Sequence, residues 1–197
     1  MKVAVLVSGG GTNLQALLDA KAAGGLPAAE FCGVISSRPG AYALQRAQKA
    51  GVPTAVVCRK DYDGADAFDE ALAARLAAFG AQCVVLAGYL SMIGPRVLAA
   101  YPNRILNVHP SLIPAFCGAG YYGLRVHQAA LARGVKVTGA TVHLVNGEYD
   151  AGPILLQKAV EVAPGDTPQT LQRRVMEQAE WVILPRALDL LTRGCLG

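Results

Sequence analysis

Long apolar runs are missing from this chain, although 53% of its 197 residues are hydrophobic. No run reaches the roughly 18 residues that a membrane span requires. Alanine and glycine carry much of the apolar share, so the composition is that of a compact soluble protein and a membrane is not an expected partner. Charge is scarce as well: 16% of residues are charged and the net charge is +4. No dense Lys/Arg cluster occurs, which argues against nucleic acid and suits a small anionic substrate equally well. Closely spaced cysteines are also lacking. Cys32, Cys58, Cys83, Cys117 and Cys195 make an odd, scattered set, which points away from a disulfide scaffold or a CxxC metal site. Cys32, Cys58 and Cys83 lie in apolar runs and read as small core residues in a reducing, cytoplasmic compartment. No His-x-x-x-His pair supports zinc, so no metal is expected, and no paired-glycine serine elbow supports a serine hydrolase.

What is present alternates between strand and helix. The opening run, 2–7, meets glycines at once and reads as a buried first strand better than as a signal peptide. A helix follows at 13–23, with Thr12 or Asn13 to cap it. Strands are expected at 30–36, 52–58 and 82–87, the last being apolar enough to sit centrally. Helices are expected at 42–50, 63–79 and 95–100. A fifth strand leads into 105–114. This succession specifies an α/β fold: a doubly wound, mostly parallel twisted sheet with helices on both faces. After a helix at 124–133, strands at 136–145 and 154–162 joined by a polar loop form a C-terminal sheet extension. A long final helix, 168–192, should be kinked or split by Pro185. The length suits a single domain, 1–197, with halves at 1–105 and 106–197.

Two stretches carry chemistry. The first is Ile105 to Pro114, ILNVHPSLIP. Asn107 and His109 sit two positions apart, so they share one face of a strand end. Either His109 caps the strand and Asn107 bonds its own turn, or the pair does chemistry at the carboxyl edge of the sheet. The second is SGGGTN, Ser8 to Asn13, between a strand and a helix. Its glycines allow either a tight turn or close backbone approach to a phosphate. It is not a Walker loop, and Leu14 stands where a dinucleotide fingerprint needs its third glycine. Further polar candidates are His143, Asp150 and Glu180. Asp150 precedes Ala151-Gly152-Pro153 and is either an Asx turn residue or a partner that raises the pKa of a histidine. His127 reads as a surface or packing residue.

On these residues the chain resembles the folate-dependent formyltransferase family, and within it the phosphoribosylglycinamide type. The likeness runs through VLVSGGGTNLQALL (Val5 to Leu18), VVLAGYLSMIG (Val84 to Gly94), ILNVHPSLIPAFCGAGYYG (Ile105 to Gly123), TGATVHLVNGEYDAGPILLQ (Thr138 to Gln157) and RVMEQAEWVILP (Arg174 to Pro185). The resemblance implies formyl transfer from 10-formyltetrahydrofolate to the amine of glycinamide ribonucleotide in purine synthesis. It implies Asn107, His109 and Asp150 as the catalytic set and His143 as its support. Gly10, Gly11, Thr12, Asn13 and Glu180 would bind the ribonucleotide, with the phosphate loop in the first half of the chain. Tyr89, Leu90, Ser91, Met92 and Ile93, with Asn107 and the loop Asn146, Gly147, Glu148, Tyr149 and Asp150, would enclose the reduced folate. Both partners are small molecules, and the protein is expected to be a monomer or weak homodimer. Other readings are a formyltransferase acting on another amine and a dinucleotide oxidoreductase of the same fold. Two departures from the family pattern stand out. Leu90-Ser91 replaces a Met-Arg pair, and Ala151 replaces a glycine, which matters if position 151 needs positive φ.

Overall fold

The computed structural model describes residues 1–195. The strands are β1 (Lys2–Val7), β2 (Glu30–Ser36), β3 (Thr54–Val56), β4 (Cys83–Leu86), β5 (Ile105–His109), β6 (Val137–Leu144) and β7 (Ile154–Glu161). They form a 7-stranded sheet in the order β3-β2-β1-β4-β5-β6-β7. The first five in that order run parallel, and β6 and β7 are added antiparallel. The expected architecture is therefore present, with β4 in the middle and the β6–β7 extension at one edge. β3 is shorter than the 52–58 run suggested: Pro53 offers no N–H for pairing, and β3 bonds to β2 alone.

Alternation along the strands divides the core into two layers. Val3, Val5 and Val7 face one cluster with Leu14, Leu17 and Leu18 of α1 (Thr12–Ala22). Ala43 and Ala47 of α2 (Tyr42–Lys49) join that cluster. Ala4 and Leu6 face the other, against Phe68, Leu72 and Leu76 of α3 (Gly64–Ala78) and Val97 of α4 (Pro95–Ala100). Burial on both faces is what continuous apolar strands require. Buried Asp69 of α3 accepts the Arg96 N–H at 2.7 Å, holding the start of α4. α5 (Leu124–Arg133) joins β5 to β6.

Two local expectations are corrected. Neither Thr12 nor Asn13 caps α1. Its N-cap is Gly11 in the left-handed region (φ 72°), and no side chain caps the helix. A Cβ on Gly11 would stand 2.5 Å from Ala43 Cβ, so glycine is needed there for turning and for packing on α2. The final helix is split, but not at Pro185. α6 (Pro168–Val175) passes into a π turn, Met176–Glu180, and α7 (Trp181–Thr192) contains Pro185 within it. Pro185 leaves the Trp181 carbonyl without its helical donor. The wider π turn, which accommodates an extra residue, lies ahead of Pro185. No helix among the described residues is long and apolar enough to cross a membrane.

Candidate active site

β5 delivers Asn107 and His109 to the carboxyl edge of the sheet. Its antiparallel neighbour β6 places His143 opposite Asn107 and Thr141 opposite His109. Cross-strand partners lie close enough for side chains to meet. Thr141 Oγ1 donates to the Ser111 carbonyl (2.7 Å) and accepts the Ile113 N–H (3.1 Å). These bonds hold the turn that leaves β5, in which the Ile113–Pro114 bond is cis.

Asp150 reaches the same place from the loop between β6 and β7. It has φ 52°, so the left-handed residue in this loop is Asp150 and not Ala151, which is exposed. The alanine at 151 therefore meets no backbone penalty. Gly152 is the glycine the loop demands, since a Cβ there would lie 1.8 Å from the Leu144 carbonyl oxygen.

The four side chains converge. Asn107 Nδ2 lies 3.0 Å from His143 Nε2 and donates to Asp150 Oδ1 at 3.3 Å. His143 Nδ1 lies 2.9 Å from the Leu144 carbonyl, which only accepts. His143 Nδ1 thus carries the proton, and Nε2 accepts from Asn107. His109 Nε2 lies 2.9 Å from the Phe116 carbonyl and must be the donor there, while Nδ1 faces Asp150 Oδ2 at 3.5 Å. The Gly118 N–H donates to the same Asp150 oxygen at 2.9 Å.

Asp150 raises the pKa of His109, as expected of a partner, but does not outweigh burial. His109 is 4% exposed, and burial pushes its pKa below the ordinary histidine value despite the opposing pull of Asp150 and the Phe116 carbonyl. Burial raises Asp150 too, but the His143 and His109 rings beside it and the Gly118 N–H together bring it below the usual carboxylate range. The resting pair is a neutral imidazole beside a carboxylate, at a separation where no proton is shared. Protonation would still give His109 an acceptor at each nitrogen.

Two cavities meet here. One is lined by all of Tyr89 to Ile93, by Asn146 to Asp150, and by Leu86, Asn107 and His143. Every residue expected on the folate side falls on it. The Leu90 N–H is held by Ser8 Oγ of the glycine loop (2.9 Å), which ties the two strand-end loops together. The second cavity, about 410 Å³, is lined by Thr12, Asn13, His109, Asp150 and Glu180. Gly10 and Gly11 do not line it but lead into α1 beside it. Gly9 and Gly10 are exposed, and a Cβ on either would meet nothing within 4 Å, so packing does not demand glycine at these two positions.

Glu180 is carried inward by the π turn and is 6% exposed. Burial pushes its pKa up to about 7, only partly countered by the Asn13 Nδ2 donor at 2.6 Å. Asn13 Oδ1 is buried without a partner among the described residues. The sequence reading missed Tyr121, Tyr122, Gln172 and Met176, which also line this cavity; of its two readings of His127, packing holds, since the residue is fully buried on the cavity wall. The spacing of Val126, His127 and Ala130 on one helix face was the available signal. No cluster of three or more His, Cys, Asp or Glu side chains suited to a metal ion occurs among the described residues.

A doubly wound sheet with two adjoining cavities at its carboxyl edge, and a polar set between them, is the setting in which α/β enzymes bind small molecules. The comparisons with known proteins name the class. The sequence profile of the formyl transferase family matches residues 1–188. A phosphoribosylglycinamide formyltransferase of Haemophilus influenzae is 40% identical over 195 residues, covering 99% of this chain and 89% of that protein. The trifunctional purine biosynthetic protein adenosine-3 of Gallus gallus is 41% identical over 196 residues, spanning 100% of this chain but 19% of that protein. The crystal structure of glycinamide ribonucleotide transformylase 1 from Symbiobacterium toebii matches with a TM-score of 0.92 at 47% identity, covering 98% of this chain and 88% of that one. The chain belongs to the formyl transferase family, within its phosphoribosylglycinamide formyltransferase branch.

Proposed function

We infer that the chain transfers the formyl group of 10-formyltetrahydrofolate to the amine of glycinamide ribonucleotide, a step of purine biosynthesis. The observation that carries this reading is that the two cavities share Asn107 and Asp150. A donor and an acceptor bound one in each would meet at those side chains. The cleft between the Tyr89–Ile93 and Asn146–Asp150 loops takes the pterin. The larger cavity takes the ribonucleotide, with its phosphate at the start of α1, where Gly10, Gly11, Thr12 and Asn13 offer backbone N–H groups. Glu180 accepts from the ribose hydroxyls.

The amine attacks the formyl carbon, and negative charge develops on the formyl oxygen. Asn107 keeps its bond to His143 and turns its longer N–H, now on Asp150, toward that oxygen. The attacking nitrogen must lose a proton. Neutral His109 takes it and becomes an imidazolium stabilised by Asp150 and the Phe116 carbonyl. The proton then passes to N10 of the folate as the C–N10 bond breaks, leaving the N-formyl product and tetrahydrofolate. No covalent enzyme intermediate is required. The test is an assay with both substrates that follows release of tetrahydrofolate. Turnover is expected, and its absence from a folded sample would overturn the reading.

A further inference from the structure

His127 has no place in the chemistry above, yet it is 0% exposed on the wall of the ribonucleotide cavity. Neither Nδ1 nor Nε2 has a hydrogen-bond partner among the described residues. A buried imidazole left this way destabilises the protein by itself, because each ring nitrogen has given up water for nothing. The same cavity holds other under-satisfied polar atoms. Asn13 Oδ1 is buried and unpartnered, and Thr12 Oγ1 meets only the Met176 sulfur at 3.6 Å. This wall is polar and incomplete, whereas at the β5 edge Asn107 Nδ2 and His109 Nε2 already have partners.

We propose that His127 is a substrate-binding residue that hydrogen-bonds an uncharged polar group of the ribonucleotide, a ribose hydroxyl or the glycinamide amide. This deepens the formyl-transfer reading and rests on it. A neutral imidazole presents one donor and one acceptor, which matches a group that both donates and accepts. A phosphate dianion offers acceptors only and could use the imidazole in one direction alone, as donor. Burial pushes the His127 pKa down to about 4, so the ring is neutral at pH 7.

The proposal couples two effects of opposite sign. Replacing an unsatisfied buried polar ring by an apolar one removes a cost from the free protein and removes a contact from the complex. His127→Phe, with His127→Leu as a second variant should Phe overpack, is expected to melt at a higher temperature than the unaltered protein. It should bind glycinamide ribonucleotide about tenfold more weakly by calorimetry. KM for the ribonucleotide should rise while KM for 10-formyltetrahydrofolate and kcat stay within about twofold. His127→Gln, which restores one donor and one acceptor, should recover most of the affinity. Ribose 5-phosphate as a second ligand separates the two partners. A loss shared by both ligands assigns the hydroxyl, and a loss confined to the ribonucleotide assigns the amide. Unchanged ribonucleotide affinity in both apolar variants overturns the proposal, as does an equal rise in both KM values. Failure of the unaltered protein to bind the ribonucleotide would instead count against the formyl-transfer reading.

Discussion

Asp150 and Glu180 line one cavity, and their surroundings treat the two carboxyl groups in opposite ways. Asp150 accepts from Asn107 and from the Gly118 N–H and faces two imidazoles. Glu180 has Asn13 alone. Both are removed from water, and burial is the largest influence on each. One is nevertheless held below its ordinary pKa and the other rises to about 7. Asp150 is only part-buried and gathers several partners, whereas Glu180 is buried with one, and the two differences together decide the charge. The Asp150 end is pre-organised before any substrate arrives, as transition-state stabilisation requires. The Glu180 end has fewer partners of its own, with Asn13 Oδ1 and both His127 ring nitrogens unpaired among the described residues.

If that contrast is right, breaking the two ends should give different kinetic signatures. Asp150→Ala should lower kcat by about 10³-fold or more, because it removes the charge that stabilises the His109 imidazolium. Steady-state kinetics on a sample with an unchanged circular dichroism spectrum checks this, and near-normal turnover would dissolve the contrast. Gly152→Ala attacks the same end through the backbone. Its methyl group would collide with the Leu144 carbonyl, so a loss of about 2–4 kcal/mol in denaturant unfolding is expected, with Asp150 displaced.

Glu180→Gln should act on binding instead, raising KM for the ribonucleotide about tenfold with a smaller change in kcat. It should also alter the pH dependence of stability. The folded-state pKa of Glu180 lies above its ordinary value of 4.5, so between about 4.5 and 7 the folded protein holds a proton the unfolded chain has released. The contribution is therefore fully present below that window and is lost as pH rises through 7. Thermal melts across this range should fall less steeply for Glu180→Gln, and parallel curves would show that Glu180 is not raised. The smallest effect is expected at Ala151→Gly. With no left-handed conformation at 151, it should cost at most about 1 kcal/mol through the unfolded chain and leave turnover unchanged. A clear gain in turnover would mean that the methyl group does constrain the Asp150 loop.

Much of the fold was legible because it rests on local pattern. β2, α4 and α5 fall where apolar runs and breakers put them. Asn107 and His109 were legible as a pair because strand periodicity puts them on one face. His127 was not. Helical spacing marked its face as buried, but nothing local shows that the far side of that face is a cavity wall. The π turn was equally hidden, since the one helix breaker in this stretch, Pro185, lies beyond it within α7.

By itself, then, the sequence determined the order of strands and helices, the two-layer core, and the identity of the polar groups at the sheet edge. These follow from periodicity, turn chemistry and short-range sterics, which act over a few residues. Only the tertiary structure decided the protonation of His109, the charge of Asp150 against Glu180, and the burial of His127. Each depends on which donors and how much protein surround a group, and those neighbours come from segments distant in the chain. Asp150 meets Asn107 across 43 positions and Glu180 meets Asn13 across 167.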